Sequence, residues 1–273
     1  MLYLYGIKTK NINVYDFVQK QEKNAKFQIS NKTFGMDPVR NKLKYLQIID
    51  TRQNLKNMII EGSTVLKSEI DCPMKGDFSF DIKTKLVTFI IPSIGRKSLN
   101  TALQSIVDTG SNAWKALIIF DGFKPENLPV DTIKHDDIKS VCIPKVGFKN
   151  CAGKVRNHGI QLCDTEWVAF LDDDDQITQD YLYRFQQEIK LHPNADTIVF
   201  RMLNSKTQDI FPPLNGISRV GSVGISFAVK TKLFKQKGIE FHPSPWEDFS
   251  LLQDIFQSGF IVHLSNYITY LVR

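Results

Sequence analysis

The stretch WVAFLDDDDQIT (Trp167–Thr178) places four consecutive aspartates directly behind a short apolar run. A run of this length that ends in polar residues is typical of a buried strand. Adjacent carboxylates repel one another, so a folded chain keeps them together only where solvent, a cation or basic side chains offset their charge. The stretch therefore predicts a strand that ends either in a solvated acidic turn or in a binding site for a cation.

The sequence on both sides alternates short apolar runs with amphipathic segments. The runs predict strands at 86–91, 116–120, 140–144, 167–171, 197–203 and 225–229. The amphipathic segments predict a helix after Ser98, a candidate N-cap, and helices at 154–163, 180–191 and 246–260, the last stopped by Gly259. Strands that alternate with helices imply an α/β fold with a mostly parallel sheet.

Polar or turn-forming residues follow three of these strands. They are Pro92 and Ser93, Asp121 and Gly122, and the four aspartates Asp172 to Asp175. Ligands of parallel sheets bind outside the carboxyl ends of the strands. We therefore expect these three strand ends to meet at a site large enough for a nucleotide.

Composition and charge limit the classes of partner. The chain has 273 residues with a formal net charge of +6, and its lysines are scattered rather than gathered into an arginine-rich run. A modest net positive charge of this kind favours anionic ligands such as nucleotides, and scattered lysines do not indicate nucleic-acid binding. The sequence contains no Cys-x-x-Cys pair, so a zinc ribbon is not indicated. No segment approaches the ~18 apolar residues of a transmembrane helix. We expect a cytoplasmic protein that binds a small anionic ligand.

The acidic run has the composition of a divalent-cation site. Mg²⁺ and Mn²⁺ prefer oxygen ligands and commonly take one or two carboxylates together with phosphate oxygens and water. Alternating aspartates on a tight turn can point Asp172 and Asp174 the same way. A solvated turn is one alternative. An aspartate-nucleophile phosphatase is another, but its D-x-D-x-[TV] signature fails in both registers because Gln176 or Ile177 takes the fifth position.

The motifs together resemble family 2 glycosyltransferases of the GT-A fold. That family shows an I-I-P-T-x-N-R opening, a D-D-G-S strand end, an A-R-N-x-G helix, a D-A-D-D metal motif and a later E-D helix. The similar stretches here, in the same order, are VTFIIPSIGR (87–96), ALIIFDG (116–122), AGKVRNHGI (152–160), EWVAFLDDDD (166–175) and WEDFSLLQDIFQSGF (246–260). The resemblance implies a GT-A fold and a metal-dependent, inverting transfer of a sugar. The sugar would move from a nucleoside-diphosphate donor, for which a UDP-sugar is expected, to a hydroxyl of a glycan, glycoprotein or glycolipid.

The resemblance divides the chain into functional parts. Residues 85–273 would form the glycosyltransferase domain, with 85–205 as its nucleotide-binding half and 206–273 as its acceptor-binding half. Residues 1–84 do not repeat the strand–helix scheme and are interpreted as an N-terminal extension or accessory element.

The nucleotide site implied by the resemblance draws on the strand ends and one helix. Asp121 matches the aspartate that reads the uracil edge in the family, although Phe120 and Phe123 replace two of the residues around it. Arg156 either contacts the nucleotide or forms an ion pair with a strand-end aspartate. The expected nucleotide-binding residues are Pro92, Ser93, Arg96, Asp121, Lys154, Arg156, Asn157, Asp172 and Asp173.

The resemblance also implies a metal and a catalytic base. Asp174 would bind Mn²⁺ or Mg²⁺ together with Asp172, although four adjacent aspartates allow more than one register. An inverting transferase needs a base across the sugar from the departing diphosphate, and Asp248 is the candidate, with Glu247 binding the acceptor. Acidic residues in a first helical turn also interact favourably with the helix dipole. His263 is either a further metal ligand or, as we favour, a strand histidine with satisfied hydrogen bonds.

Two other functions share parts of this pattern. A sugar nucleotidyltransferase would use a similar half-sheet and metal, but its L-x-G-G-x-G-x-R loop is absent from IPSIGRKSL (91–99). A carbohydrate-binding or scaffold domain on the same fold would need neither the acidic run nor the Glu247–Asp248 pair.

Overall fold

A computed structural model describes residues 85–123, 125, 135–147, 151–213 and 222–273, together with six strands nearer the N-terminus. All six strands and all four helices expected from the sequence between 86 and 260 are present, with their ends shifted by a few residues. The predicted loop at 211–224 lies partly outside the described residues, since 214–221 are not among them.

Four parallel strands position the polar strand ends. They are β7 (Val87–Ser93), β8 (Trp114–Asp121), β9 (Ile138–Ile143) and β10 (Trp167–Phe170), arranged in the order β10-β7-β8-β9. Every residue of β7 and β10 is buried. Parallel strands covered on both faces need apolar residues at every position rather than at alternate ones, which explains why these segments are continuous apolar runs.

The sheet continues beyond β10 with mixed strand directions. Its further strands are β11 (Gln176–Ile177), β12 (Thr197–Asn204), β13 (Ile210–Phe211), β14 (Phe227–Lys230) and β15 (Val262–Val272). β14 lies antiparallel between β10 and β12, and β15 runs parallel to β12. The predicted parallel arrangement therefore holds for the half of the sheet that carries the polar strand ends, and the other half is mixed.

The structure describes six strands in the N-terminal part of the chain, and four of them extend the same sheet. The six are β1 (Leu2–Ile7), β2 (Lys10–Asn13), β3 (Lys26–Gln28), β4 (Tyr45–Ile49), β5 (Leu55–Ile60) and β6 (Thr64–Leu66). β5 pairs antiparallel with β15 through Ile59 opposite Tyr267 and Met58 opposite Ile268. β4, β1 and β2 follow outward, while β3 and β6 pair with each other. The extension expected over residues 1–84 thus contributes four strands to the main sheet.

Among the described residues, five helices pack on this sheet. They are α1 (Leu99–Val107), α2 (Gly153–Leu162), α3 (Tyr181–Leu191), α4 (Thr231–Lys237) and α5 (Glu247–Gln257). Ser98 precedes α1 as expected, but its side chain makes no capping hydrogen bond. Gly259 follows α5 with a φ of 81°, the left-handed conformation that commonly ends a helix, so this predicted stop is confirmed. In the part of the chain that the structure describes, no helix is both long and apolar enough to cross a membrane.

Gly159 allows helix α2 to pack closely against the sheet. A Cβ atom on this residue would lie 2.7 Å from Cγ2 of Ile90 and 3.1 Å from Cγ1 of Ile119. Neither approach leaves room for a larger side chain in a closely packed core. The contact holds α2 against β7 and β8, so that its N-terminal end and Arg156 lie beside the strand ends.

Candidate functional site

A cavity of about 370 Å³ opens at the carboxyl ends of β7, β8 and β10. This volume is within the range of sites for cofactors and small ligands. Eight of the residues expected to bind nucleotide or metal line it: Pro92, Ser93, Arg96, Asp121, Arg156, Asp172, Asp173 and Asp174. The three polar strand ends therefore meet, as the sequence pattern predicted.

The middle of the acidic run is held by the serine that ends β7 and by an arginine just after this strand. Asp173 is buried, and its carboxylate accepts hydrogen bonds from Oγ of Ser93 at 2.6 Å and Nη1 of Arg96 at 2.9 Å. Nη1 of Arg96 also lies 2.9 Å from Oδ2 of Asp174. Burial raises the pKa of Asp173, and its two partners oppose that shift. One exposed arginine thus offsets the repulsion between two neighbouring carboxylates.

Asp175 is directed away from the cavity, toward the end of β15. Its Oδ1 accepts a hydrogen bond from the backbone N–H of Arg273 at 3.1 Å. The Tyr270 hydroxyl donates a hydrogen bond to Asp175 and accepts one from the backbone N–H of Asp172 at 3.0 Å. Burial and repulsion from Asp172 and Asp174 raise the pKa of Asp175 to about 7. No local pattern in the sequence indicates these contacts, because they join residues almost a hundred positions apart.

Arg156 joins the acidic turn to helix α5. Its side chain is 3% exposed, with Nη2 donating to Oδ1 of Asp172 and Nη1 donating to Oε1 of Glu247, both at 2.6 Å. The guanidinium also lies over the ring of Phe241, 5.5 Å from its centroid. Of the two roles left open for Arg156, the structure contains the ion pair with a strand-end aspartate. Because Arg156 also lines the cavity, contact with a ligand is compatible with that pair.

Glu247 binds the N-terminal end of α2. Its Oε1 and Oε2 each accept a hydrogen bond at 2.9 Å, from the backbone N–H groups of Ala152 and Gly153 respectively. A carboxylate at this position interacts favourably with the partial positive charge of a helix N-terminus. Gly153 allows the approach, since a Cβ there would lie 2.7 Å from Oε2 of Glu247. Both oxygens of Glu247 are therefore engaged within the protein.

Asp248, by contrast, has a carboxylate oxygen without a hydrogen bond. Its Oδ1 is buried, accepts no hydrogen bond from any described residue, and lies 3.6 Å from Nη1 of Arg156. Burial raises the pKa of Asp248 to about 7; repulsion by Asp172 and Glu247 adds to this shift and attraction by Arg156 opposes it. A carboxylate with a pKa in this range is suited to general acid–base chemistry near neutral pH. Asp248 does not itself line the cavity, but it contacts a residue that does.

Asp121 holds the segment that follows β9. Its Oδ1 accepts the backbone N–H of Val146 at 2.6 Å, and its Oδ2 accepts that of Gly147 at 3.1 Å. Nζ of Lys145 lies 3.8 Å from Oδ2. Lys145 and Gly147 line the cavity, although they were not among the predicted site residues. The signal for Lys145 was its place directly after a predicted strand, the same signal that identified Asp121.

Two of the expected nucleotide-binding residues do not line the cavity. Lys154 is exposed on α2. The side-chain amide of Asn157 donates to the carbonyl of Phe241 at 2.9 Å and accepts its backbone N–H at 3.0 Å. Asn157 therefore fixes the chain before α5 to helix α2.

The donor set of the acidic turn suits a hard divalent cation. Asp172 and Asp174 line the same cavity, and each has one oxygen hydrogen-bonded to an arginine. Two carboxylates leave most of the coordination sphere to other oxygen ligands, which is the usual arrangement for Mg²⁺ and Mn²⁺ beside a phosphate. The residues present therefore fit such an ion.

One protein family and several solved structures are similar to this chain. Its sequence matches the family described as glycosyl transferase family 2 over residues 88–256. Among solved structures, S. aureus TarS 1–349 is similar with a TM-score of 0.57 and 16% identity over 68% of this chain and 60% of that chain. The same protein in complex with UDP-GlcNAc matches with a TM-score of 0.57, and in complex with UDP with a TM-score of 0.58. Comparison with curated protein sequences gives no significant match.

The structural comparison shows the fold, and the family match shows the family. At 16% identity the TarS structures support the GT-A fold alone, and the chain matches only about 60% of the length of TarS 1–349. The family match covers more than half of the chain and includes most of β7, Arg156, the acidic run and most of α5. The predicted fold class and family are confirmed: this chain belongs to glycosyl transferase family 2.

Proposed function

We propose that this protein transfers a sugar from a UDP-sugar to an acceptor hydroxyl with inversion at the anomeric carbon, using Mn²⁺ or Mg²⁺ at the acidic turn. The observation that carries the proposal is the cavity in which Asp172 and Asp174 lie beside Asp121 and Arg156. The complexes of TarS with UDP-GlcNAc and UDP support a uridine-linked donor.

The order of the strands supports one orientation of the donor. β7 separates β8, which ends at Asp121, from β10, which precedes the acidic turn. Two strand spacings amount to about 10 Å, a distance that a nucleoside diphosphate can bridge. The uracil would then lie near Asp121, and the diphosphate near Asp172 and Asp174. Lys145 and Arg96 add positive charge to the same cavity.

Each acidic side chain has a distinct task in this proposal. Asp174 and Asp172 hold the metal, which offsets the charge that develops on the departing diphosphate. Arg156 keeps Asp172 in position from the opposite side. Asp248 accepts the proton of the attacking hydroxyl. We assign Glu247 to positioning rather than acceptor binding, because both of its oxygens bond to α2 or Arg156.

The experiment that tests the donor site is a thermal-shift screen of UDP, GDP, CDP and ADP with and without Mn²⁺. A ligand that binds the folded state raises the melting temperature by mass action. We expect UDP with Mn²⁺ to give the largest increase. An equal response to all four nucleotides, or none to any, would contradict a uridine-specific metal site.

Replacement of Asp174 should remove the metal-dependent part of donor binding. We expect Asp174→Ala to abolish the Mn²⁺-dependent increase in UDP affinity without lowering the melting temperature of the free protein, since a charge repelled by its neighbours has gone. Isothermal titration calorimetry measures the affinity. The control is Asp164→Ala, which removes an exposed carboxylate paired with Lys115. If Asp174→Ala, like Asp164→Ala, binds UDP with the affinity and Mn²⁺ dependence of the parent, Asp174 is not a metal ligand.

The rate of transfer should depend on pH through Asp248. Its pKa is about 7, so the carboxylate is mostly protonated at pH 6 and unable to accept a proton. We expect kcat/KM at saturating Mn²⁺ to rise with pH and to level off above about pH 8. A rate that falls over this range would contradict the assignment of Asp248 as a base.

A further inference from the structure

A second group of possible metal ligands lies where the end of α3 meets the start of β15. Glu188 and His192 are four residues apart and lie on the same side of α3 and its C-terminal end. Oε2 of Glu188 lies 2.9 Å from Nε2 of His263, on β15, and 3.5 Å from Nε2 of His192. The ligand atoms of all three residues lie within 4.8 Å of one another.

The carboxylate of this group is oriented by a hydroxyl. Oγ of Ser265 donates to Oε1 of Glu188 at 2.6 Å and accepts the backbone N–H of Tyr267 at 3.1 Å. This bond holds one oxygen and leaves the other facing the two imidazoles. Oε2 of Glu188 is thereby available to a cation bound between the two imidazoles.

We propose that Glu188, His192 and His263 bind a zinc ion, with water at the remaining position. Two imidazole nitrogens and one carboxylate oxygen are a donor set that Zn²⁺ accepts readily, whereas Mg²⁺ prefers oxygen ligands alone. Tetrahedral bonds of about 2.1 Å separate neighbouring ligand atoms by roughly 3.4 Å, close to the two distances from Glu188. Ser265 is the outer residue that orients the carboxylate.

A small movement of one imidazole ring would let both ring nitrogens bind the same ion. The rings of His192 and His263 stack with centroids 3.5 Å apart and planes 23° from parallel. The lone pairs of stacked rings do not converge fully, so one ring has to tilt toward the ion. His192 has a side chain that is 43% exposed, which leaves it room to do so. The exposed side of the site also gives the ion access from solvent.

This zinc site is separate from the metal site proposed at the acidic turn. His263 lies opposite Ile198 near the start of β12, whereas Leu271 at the other end of β15 lies opposite Gln176, just after the acidic run. At about 3.3 Å per residue, the strand between His263 and Leu271 spans roughly 25 Å. The zinc ion would therefore join α3 to β15 and stabilise this contact without touching the donor.

Binding of Zn²⁺ alone to the chelator-treated protein tests the proposal. We expect one ion to bind with high affinity by calorimetry and to raise the melting temperature in the absence of nucleotide. His192→Gln and His263→Gln should each weaken binding at least tenfold, and Ser265→Ala should weaken it about tenfold. His192 is partly exposed, so its variant is expected to fold even if a variant of buried Glu188 is not.

Three controls separate this site from other zinc ligands. His242→Gln removes an exposed histidine elsewhere, Cys142→Ser removes an exposed thiol, and Asp174→Ala removes a proposed ligand of the other site. All three should bind Zn²⁺ as the parent does. The visible absorption of bound Co²⁺ should likewise be lost only in the His192 and His263 variants. The proposal is wrong if the parent binds no Zn²⁺, or if these two variants bind it as tightly as the parent.

Discussion

Asp248→Asn is expected to lower the rate of sugar transfer about a hundredfold or more. The substitution keeps the size of the side chain and much of its hydrogen-bonding capacity, but an amide cannot take the proton of the attacking hydroxyl. Asp248 is the residue of the Glu247–Asp248 pair that keeps a carboxylate oxygen without a hydrogen bond. Because Asp248 does not line the cavity around the acidic turn, the affinities for UDP and Mn²⁺ should remain close to those of the parent.

A matched variant on the same helix controls for effects on folding. Asp254→Asn makes the same change farther along α5 and should transfer sugar at the parent rate. The melting temperatures of both variants and the parent should be compared before the rates are. The assignment fails if Asp248→Asn has normal turnover, or if it loses UDP affinity in proportion to its loss of rate.

Arg156→Ala is expected to lower the free energy of unfolding by about 3–5 kcal/mol. The guanidinium is nearly fully buried and bonds to Asp172 and Glu247, with Asp248 at 3.6 Å. Its removal leaves three carboxylates close together without their cation, which raises their pKa values in the folded state. A carboxylate whose pKa is higher in the folded than in the unfolded state destabilises the fold increasingly as pH rises. The loss of unfolding free energy in the variant should therefore be larger at pH 8 than at pH 5. Urea denaturation at the two pH values measures it.

Arg96→Ala provides the comparison for this stability effect. Arg96 also bonds to two aspartates, but its side chain is 48% exposed. Exposed ion pairs contribute about 0–1 kcal/mol, so this variant should lose far less stability than Arg156→Ala. Equal losses in the two variants would show that the buried network around Arg156 has no special stabilising role.

The strand ends could be predicted because their signal is local. β7, β8 and β10 contain short apolar runs that stop at polar residues, and the order of strands and helices then implies that these ends meet. The strand at β14 is also predicted, but no local pattern indicates its antiparallel direction, and α4 is too short to show a clear period. The pairing of β5 with β15 joins residues that are distant in the chain, and no local pattern marks it.

The roles of individual carboxylates depend on contacts that the sequence does not reveal. Glu247 and Asp248 are adjacent in one helical turn, yet Glu247 bonds to the N-terminal end of α2 while Asp248 keeps an oxygen without a hydrogen bond. Asn157 lies on the predicted helix, but its amide bonds to the backbone of Phe241 instead of lining the cavity. In each case the partner lies more than eighty residues away, so only the folded structure distinguishes binding from positioning.

Proton NMR of UDP-GlcNAc incubated with the protein and Mn²⁺, without acceptor, tests the central claim most directly. Slow hydrolysis of the donor should release UDP and free sugar, and the first sugar signal should be the anomer opposite to that of the donor. UDP-glucose and UDP-galactose extend the test to other sugars. Release of UTP and a sugar 1-phosphate after addition of pyrophosphate would indicate a nucleotidyltransferase. A first product with the donor's anomeric configuration would exclude inversion, and no turnover of any donor would contradict the proposed transferase.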